Sequence, residues 1–205
     1  MLLDFLLPSP CILCDKIGKP ICNDCLTELK LQRSAIQIGQ IPGFCYASYD
    51  DKTAKVVNAI KEKGITAAIN QLAQLMSTDW PDEFKQAVLV PIPSAKHNQH
   101  RRGFSHTLLW TNALARHLKG PRVDPILVSA KPRVDQTGLS PNQRLQNMED
   151  AFKVIRSPKS GPLLLIDDVL TTGATLMAAE QALIAAGVRE PGFCVFTRVQ
   201  SSKPL

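Results

Sequence analysis

Long apolar runs are missing from this 205-residue chain. No stretch approaches the roughly 18 residues that cross a bilayer, so no membrane insertion is expected. The opening MLLDFLLPSP is apolar, but it has no basic segment, carries Asp4 and offers no small-residue cleavage site before Cys11. It does not read as a signal peptide, and the expected compartment is the cytoplasm. Aromatic residues are scarce, at 5%, which argues against an extended groove on which single-stranded bases stack. There is no internal repeat and no G-x-x-x-x-G-K-[ST] phosphate loop. The histidines, His97, His100, His106 and His117, form neither H-E-x-x-H nor a compact ligand cluster. They are expected to be surface or core residues.

Acidic residues are also absent between Glu83 and Asp124, where Lys85, Lys96, Arg101, Arg102, Arg116, Lys119 and Arg122 all fall. With a formal net charge of +6, that segment predicts either a positive field suited to phosphate, pyrophosphate or nucleic acid, or a solvated basic surface.

Cysteine, by contrast, is concentrated. Cys11, Cys14, Cys22 and Cys25 form two C-x-x-C pairs separated by seven residues, while Cys45 and Cys194 stand alone among apolar neighbours and are expected to be buried thiols. In a reducing compartment paired C-x-x-C groups are more often metal ligands than disulfides. Four thiolates make a tetrahedral site that suits Zn²⁺ and tolerates iron. A segment this short buries too little surface to fold alone, and structural zinc supplies roughly 10–16 kcal/mol in finger peptides. With all four positions cysteine, no site stays open for a substrate, so the role is structural or interactive. Redox-active thiols are the alternative.

The chain is expected to divide near residues 29–43, giving an N-terminal zinc module with linker over 1–43 and a second domain over 44–205. Beyond the division, Ala54–Lys63 places Val56, Val57 and Ile60 on one helical face with Gly64 as a stop, and Thr66–Met76 continues similarly with Ile69, Leu72, Leu75 and Met76. Ala87–Ile92 is a buried strand, Phe104–Leu118 a helix with Leu108, Leu109 and Leu114 inward, and Ile126–Val128 and Phe152–Ile155 short strands. Leu163–Ile166 is a strand covered on both faces, followed by a helix over Ala174–Ala186 ended by Gly187 and a last strand over Phe193–Thr197. This alternation implies an α/β fold with a mostly parallel sheet flanked by helices. Lys131–Asn147 is polar, aperiodic and too long for an ordinary loop.

The most informative stretch is LLLIDDVLTTGAT, Leu163–Thr175. In an open parallel sheet, ligands sit where strands end and the chain turns toward a helix. Thr171, Thr172, Gly173, Ala174 and Thr175 can aim backbone N–H groups and hydroxyls at one phosphate without any lysine. Asp167 and Asp168 suit a vicinal diol, so phosphate and acids together describe a 5-phosphoribosyl group. Successive strand residues point to opposite faces, so both acids are expected to reach one ribose only if the backbone leaves the strand near Asp168.

This stretch resembles the phosphoribosyl pyrophosphate (PRPP) signature of type I phosphoribosyltransferases. VLVPIPSAKHNQHRRGFSH (Val88–His106) and QTGLSPNQRLQNMEDAF (Gln136–Phe152) are similar to segments of the ComF/GntX family, as are the C-x-x-C pairs. Ser105 departs from that family's usual Asn. The resemblance implies a phosphoribosyltransferase-type domain after a zinc module, and Asp167 and Asp168 as catalytic acids. It further implies a pyrophosphate loop with Ser94, Ala95, Lys96, Arg101 and Arg102, and a flexible hood carrying Lys131, Arg133 and Arg144. Zn²⁺ would be structural and Mg²⁺ would arrive with PRPP. The same resemblance implies a role in DNA uptake during natural transformation, with single-stranded DNA and a DNA-uptake helicase as partners. The alternative is an active transferase carrying phosphoribosyl from PRPP to an acceptor that the sequence does not name.

Overall fold

The computed structural model describes residues 9–94, 103–130 and 151–200. Ala95, Lys96, Arg101, Arg102, Lys131, Arg133 and Arg144 lie outside them.

The elements, in chain order, are α1 (Asn23–Glu28), β1 (Ser34–Ile38), β2 (Ile41–Ser48), α2 (Asp51–Lys63), α3 (Ala67–Thr78), β3 (Val88–Pro91), α4 (His106–Leu118), β4 (Arg122–Val123), β5 (Leu127–Ser129), β6 (Phe152–Val154), β7 (Leu163–Leu170), α5 (Ala174–Ala185) and β8 (Gly192–Arg198). Six strands form one sheet in the order β1-β2-β8-β7-β3-β4, parallel except for the β1–β2 hairpin, while β5 and β6 make a separate antiparallel pair. The expected mostly parallel α/β sheet is therefore observed. Among the described residues no helix is long and apolar enough to cross a membrane.

Local chemistry explains the helix ends. Asp50 caps α2 by accepting from the Thr53 N–H at 2.8 Å, and Thr53 Oγ1 accepts from the Asp50 N–H at 2.7 Å. This reciprocal box starts the helix three residues before the expected Ala54. Ser105 caps α4 by accepting from the Leu108 N–H at 3.4 Å. Ser and Asn are both favoured in that position, so the departure at Ser105 preserves a capping side chain.

Two core layers sandwich the sheet. On one face Phe44, Tyr46, Leu89, Leu164, Ile166 and Phe196 pack under α2, α3 and α4; on the other Val90, Leu163, Leu165, Phe193 and Val195 pack under α5 and the β5–β6 pair. In α4 the inward stripe is His106, Trp110 and Leu114 with Thr107, Thr111 and Ala113, whereas Leu109 is exposed. The expectation for Leu109 fails because a helical stripe advances in steps of three and four, and the capped start at His106 sets which residues it contains. Leu75 on α3 is exposed for the same reason.

The segment expected as a linker is ordered. Residues 34–48 form a hairpin whose two-residue turn uses Gly39 at φ 57, with Ile38 paired to Ile41, and β2 joins the sheet beside β8. β2 runs through residue 43, where the expected boundary falls. The cysteine segment packs into the same core: Ile12, Ile21 and Leu29 join Val56, Ile60 and Leu72. Gln71 on α3 clasps it by accepting from the Ile21 N–H at 2.9 Å and donating to the Ile21 carbonyl at 3.0 Å.

Among the described residues, members of the basic segment have local partners. Lys85 precedes β3 and pairs with Asp82 at 2.6 Å, and Arg122 opens β4 and donates to the Ser160 carbonyl at 3.0 Å. Because β3, α4 and β4 make a parallel crossover, Lys85, Lys119 and Arg122 return to the strands' N-terminal end, opposite the end where β7 enters its Thr-Gly turn.

Candidate functional site

Neighbouring parallel strands β3 and β7 bring Ser94 and the 167–175 stretch to the same end of the sheet, with Pro91 paired to Ile166 and the Ile92 N–H donating to the Ile166 carbonyl at 3.0 Å. β7 does not end at the acids. It continues to Leu170, and Asp167 and Val169 pair with Val195 and Thr197 of β8. The expected departure of the backbone at Asp168 is thus overturned. The acids converge by another route: the Asp167 carboxylate folds back to accept from the Asp168 N–H at 2.9 Å. Oxygens of both acids and a ring nitrogen of His106 lie within 4.8 Å of one another.

Asp168 is 4% exposed and carries two partners on one oxygen. Lys61 Nζ of α2 is 2.8 Å from Oδ2, and His106 Nε2 of α4 is 3.3 Å from it. Burial opposes the charge on Asp168, but Lys61 and His106 overcome it and hold the carboxyl well below the usual carboxylate range. Asp167, half-buried, behaves oppositely. Burial, reinforced by the negative charge of Asp168, pushes it up to about 7.

His106 extends the network. Its Nδ1 is 3.3 Å from Ser94 Oγ, and the adjacent Thr107 hydroxyl donates to the Ile92 carbonyl at 2.7 Å. Because a carboxylate only accepts, Nε2 carries the proton toward Asp168, and in the neutral ring Nδ1 accepts from the Ser94 hydroxyl. Ser94, His106, Asp168 and Lys61 therefore form one continuous chain from the expected pyrophosphate loop to the acids. Sequence reasoning assigned neither Lys61 nor His106 to the site. The signal was present, since Lys61 lies four residues after Val57 and His106 four before Trp110, both on buried helical stripes.

The turn after β7 places Thr171 exposed, Thr172 and Thr175 half-buried, and Gly173 and Ala174 buried. Gly173 caps α5 at φ 78, and a Cβ there would lie 2.6 Å from Ile38 Cγ2. Glycine is thus required both by the left-handed backbone and by the close approach of β1. The turn feeds the N-terminus of α5, whose first N–H groups have no intrahelical acceptors.

The four thiols form a second cluster, with all Sγ atoms within 4.8 Å and Cys14 and Cys22 3.7 Å apart. Zn–S bonds of about 2.3 Å in a tetrahedron put sulfurs about 3.8 Å apart, so the set fits zinc. Burial opposes ionisation of Cys11, yet N–H groups of Cys22, Leu13 and Cys14 outweigh it and lower its thiol to about 6, while burial and the neighbouring thiols hold Cys25 well above the ordinary thiol range, the conflict expected of crowded thiols with no cation between them. Cys45 and Cys194 are buried, as expected.

Paired acids near the C-terminal end of a central parallel strand, followed by a Thr-Gly turn into a helix, are the arrangement that resembles a phosphoribosyltransferase-type domain. Within that class, the curated proteins the chain is similar to are competence and DNA-utilization proteins. The chain is 35% identical over 105 residues to Competence protein F of Haemophilus influenzae, a match covering 50% of this chain and 46% of that protein. It is 27% identical over 201 residues to Competence protein ComFC of Bacillus subtilis, covering 92% and 78%. DNA utilization protein YhgH of Escherichia coli K12 matches at 27% over 99 residues, covering 48% and 44%. The chain thus spans a little under half the length of the Haemophilus and Escherichia relatives. No family model matches. Among solved structures, adenine phosphoribosyl transferase from Trypanosoma brucei in complex with AMP, pyrophosphate and ribose-5-phosphate aligns over 85% of this chain and 92% of its own, at 13% identity and a TM-score of 0.43. Orotate phosphoribosyltransferase from Aeropyrum pernix aligns over 85% and 80%, at 13% identity and 0.38.

Proposed function

We propose that this protein binds PRPP at the end of β7 and acts in DNA uptake during natural transformation. The observation that carries the binding reading is the junction of converging acids with a glycine-capped turn on adjoining residues of one strand and helix. The turn's N–H groups and hydroxyls take the 5-phosphate, and Asp167 and Asp168 accept from the ribose hydroxyls. Ser94, with Ala95, Lys96, Arg101 and Arg102, faces pyrophosphate, and Lys131, Arg133 and Arg144 belong to a hood that excludes water. Mg²⁺ enters with PRPP and is held mainly by substrate oxygens. The four thiolates hold zinc with no open position, so the module is structural, and thiolate chemistry suits a cytoplasmic setting.

The competence and DNA-utilization names of the relatives support the cellular role. Single-stranded DNA and an uptake helicase are its natural partners. Transfer of phosphoribosyl to an acceptor is the second reading, favoured by the Asp167 carboxyl, whose rise to about 7 lets it exchange a proton near neutrality. Calorimetric titration of PRPP with and without Mg²⁺ tests the binding reading. Affinity that needs Mg²⁺ is expected, and absence of heat under both conditions would overturn it. DNA affinity is expected to fall steeply with salt, while PRPP affinity responds chiefly to Mg²⁺.

A further inference from the structure

The chain of contacts from Lys61 to Ser94 has no place in a phosphate nest, yet it is assembled from three separate elements. Lys61 comes from α2, His106 from the first turn of α4, and Ser94 from the loop after β3. Both helices approach from the same face of the sheet and meet one oxygen of Asp168. Such a buried carboxylate would be costly without partners, and two donors on Oδ2 leave Oδ1 as the oxygen that can turn toward a ligand.

We infer that Lys61 and His106 are positioning residues that clamp Asp168 through Oδ2, presenting its other oxygen to a ribose hydroxyl, and that His106 links this acid to the Ser94 loop. The inference rests on the PRPP reading and deepens it. Neither residue touches the sugar. Lys61 supplies the positive charge that keeps Asp168 an acceptor, and the imidazole fixes the plane of the carboxylate. The Ser94 hydroxyl holds the ring tautomer that points Nε2–H at Asp168. A ligand at the loop and a ligand at the acids then act through one side chain, His106.

The test uses the full zinc-loaded chain and three probes: PRPP with Mg²⁺, ribose 5-phosphate and inorganic phosphate. Lys61→Met and His106→Leu each remove one charge-assisted bond. Such a bond corresponds to roughly 10- to 100-fold in affinity. Affinity for PRPP and ribose 5-phosphate is expected to fall by about that factor, while inorganic phosphate, which meets only the turn, binds as before. Lys61→Arg, which keeps the charge, is expected to restore most of the loss. Ser94→Ala is expected to weaken ribose 5-phosphate a few-fold, although that ligand has no pyrophosphate. Thermal melting accompanies each variant, and Lys61→Arg and Ser94→Ala keep the test open if a more severe variant fails to fold. Folded variants that bind ribose 5-phosphate like wild type, or that lose inorganic phosphate equally, would overturn the clamp and leave the PRPP reading standing. A wild-type protein that binds neither sugar phosphate would overturn both.

Discussion

The cysteine module and the acid site are built in opposite ways. The four thiols come from fifteen consecutive residues, Cys11 to Cys25, brought together by short turns and one short helix. The acid site draws on α2, α4, the loop after β3 and β7, residues as far apart in sequence as Lys61 and Asp168. A local cluster needs something to hold like groups together, and a bound metal would do so. A dispersed cluster is assembled by the sheet and its covering helices, with Lys61 as its resident cation. The module's stability should therefore depend on an ion, and that of the acid site on the core.

The largest effect should come from breaking the first half of that contrast. Removing zinc with a chelator, or substituting Cys25→Ser, is expected to release about one zinc per chain and to lower Tm by on the order of 10 °C or more. The loss should extend beyond the module because Ile12 and Ile21 share a core with Val56 and Leu72. Calorimetric melting with metal analysis checks this, and a metal-free protein with an unchanged melt would contradict it.

A smaller effect should separate the two acids. Asp168→Asn leaves Lys61 facing a neutral amide and is expected to cost about 3 kcal/mol, the scale of a broken buried pair. Asp167→Asn should stabilise instead. Because folding raises Asp167, its unfolded form ionises first as pH rises, so wild type loses stability between about pH 4 and 7. The Asn variant escapes that loss, and its Tm advantage should be greater at pH 8 than at pH 5. Asp168 acts in the other direction, its stabilisation being lost as pH falls below the ordinary carboxylate range. Equal Tm differences at both pH values would contradict the assignment for Asp167.

Gly173→Ala should show the smallest change in stability, about 1–2 kcal/mol from the left-handed backbone and the clash with Ile38. A second substitution, Ile38→Ala, should return the part due to the clash. Chemical denaturation of the single and double variants would resolve the two contributions, and full additivity would show that the contact with Ile38 does not matter.

Much of the fold was legible because its signals are local. The run Leu163–Ile166, the Thr-Gly turn, the stripe of α2 and the helical spans of α4 and α5 each announce themselves within one window. The β1–β2 hairpin did not, since Pro42 and Gly43 interrupt β2 and β1 has one well-buried residue, Ile38. The thiolate set was readable from spacing alone, and the acids and turn from their order. Lys61 and His106 were not, because their meaning lies in a partner that only the sheet topology supplies. A lysine or histidine on an otherwise apolar helical stripe is the trace such a partner leaves in sequence.

The central claim is that the acids and the turn together make a PRPP site. It is tested most directly by calorimetric titration of PRPP and Mg²⁺ into wild type and into the double variant Asp167→Asn, Asp168→Asn, which keeps the side-chain volumes beside Lys61 and His106. The account predicts binding by wild type and its loss in a double variant that remains folded. Unchanged PRPP affinity in that variant would contradict it.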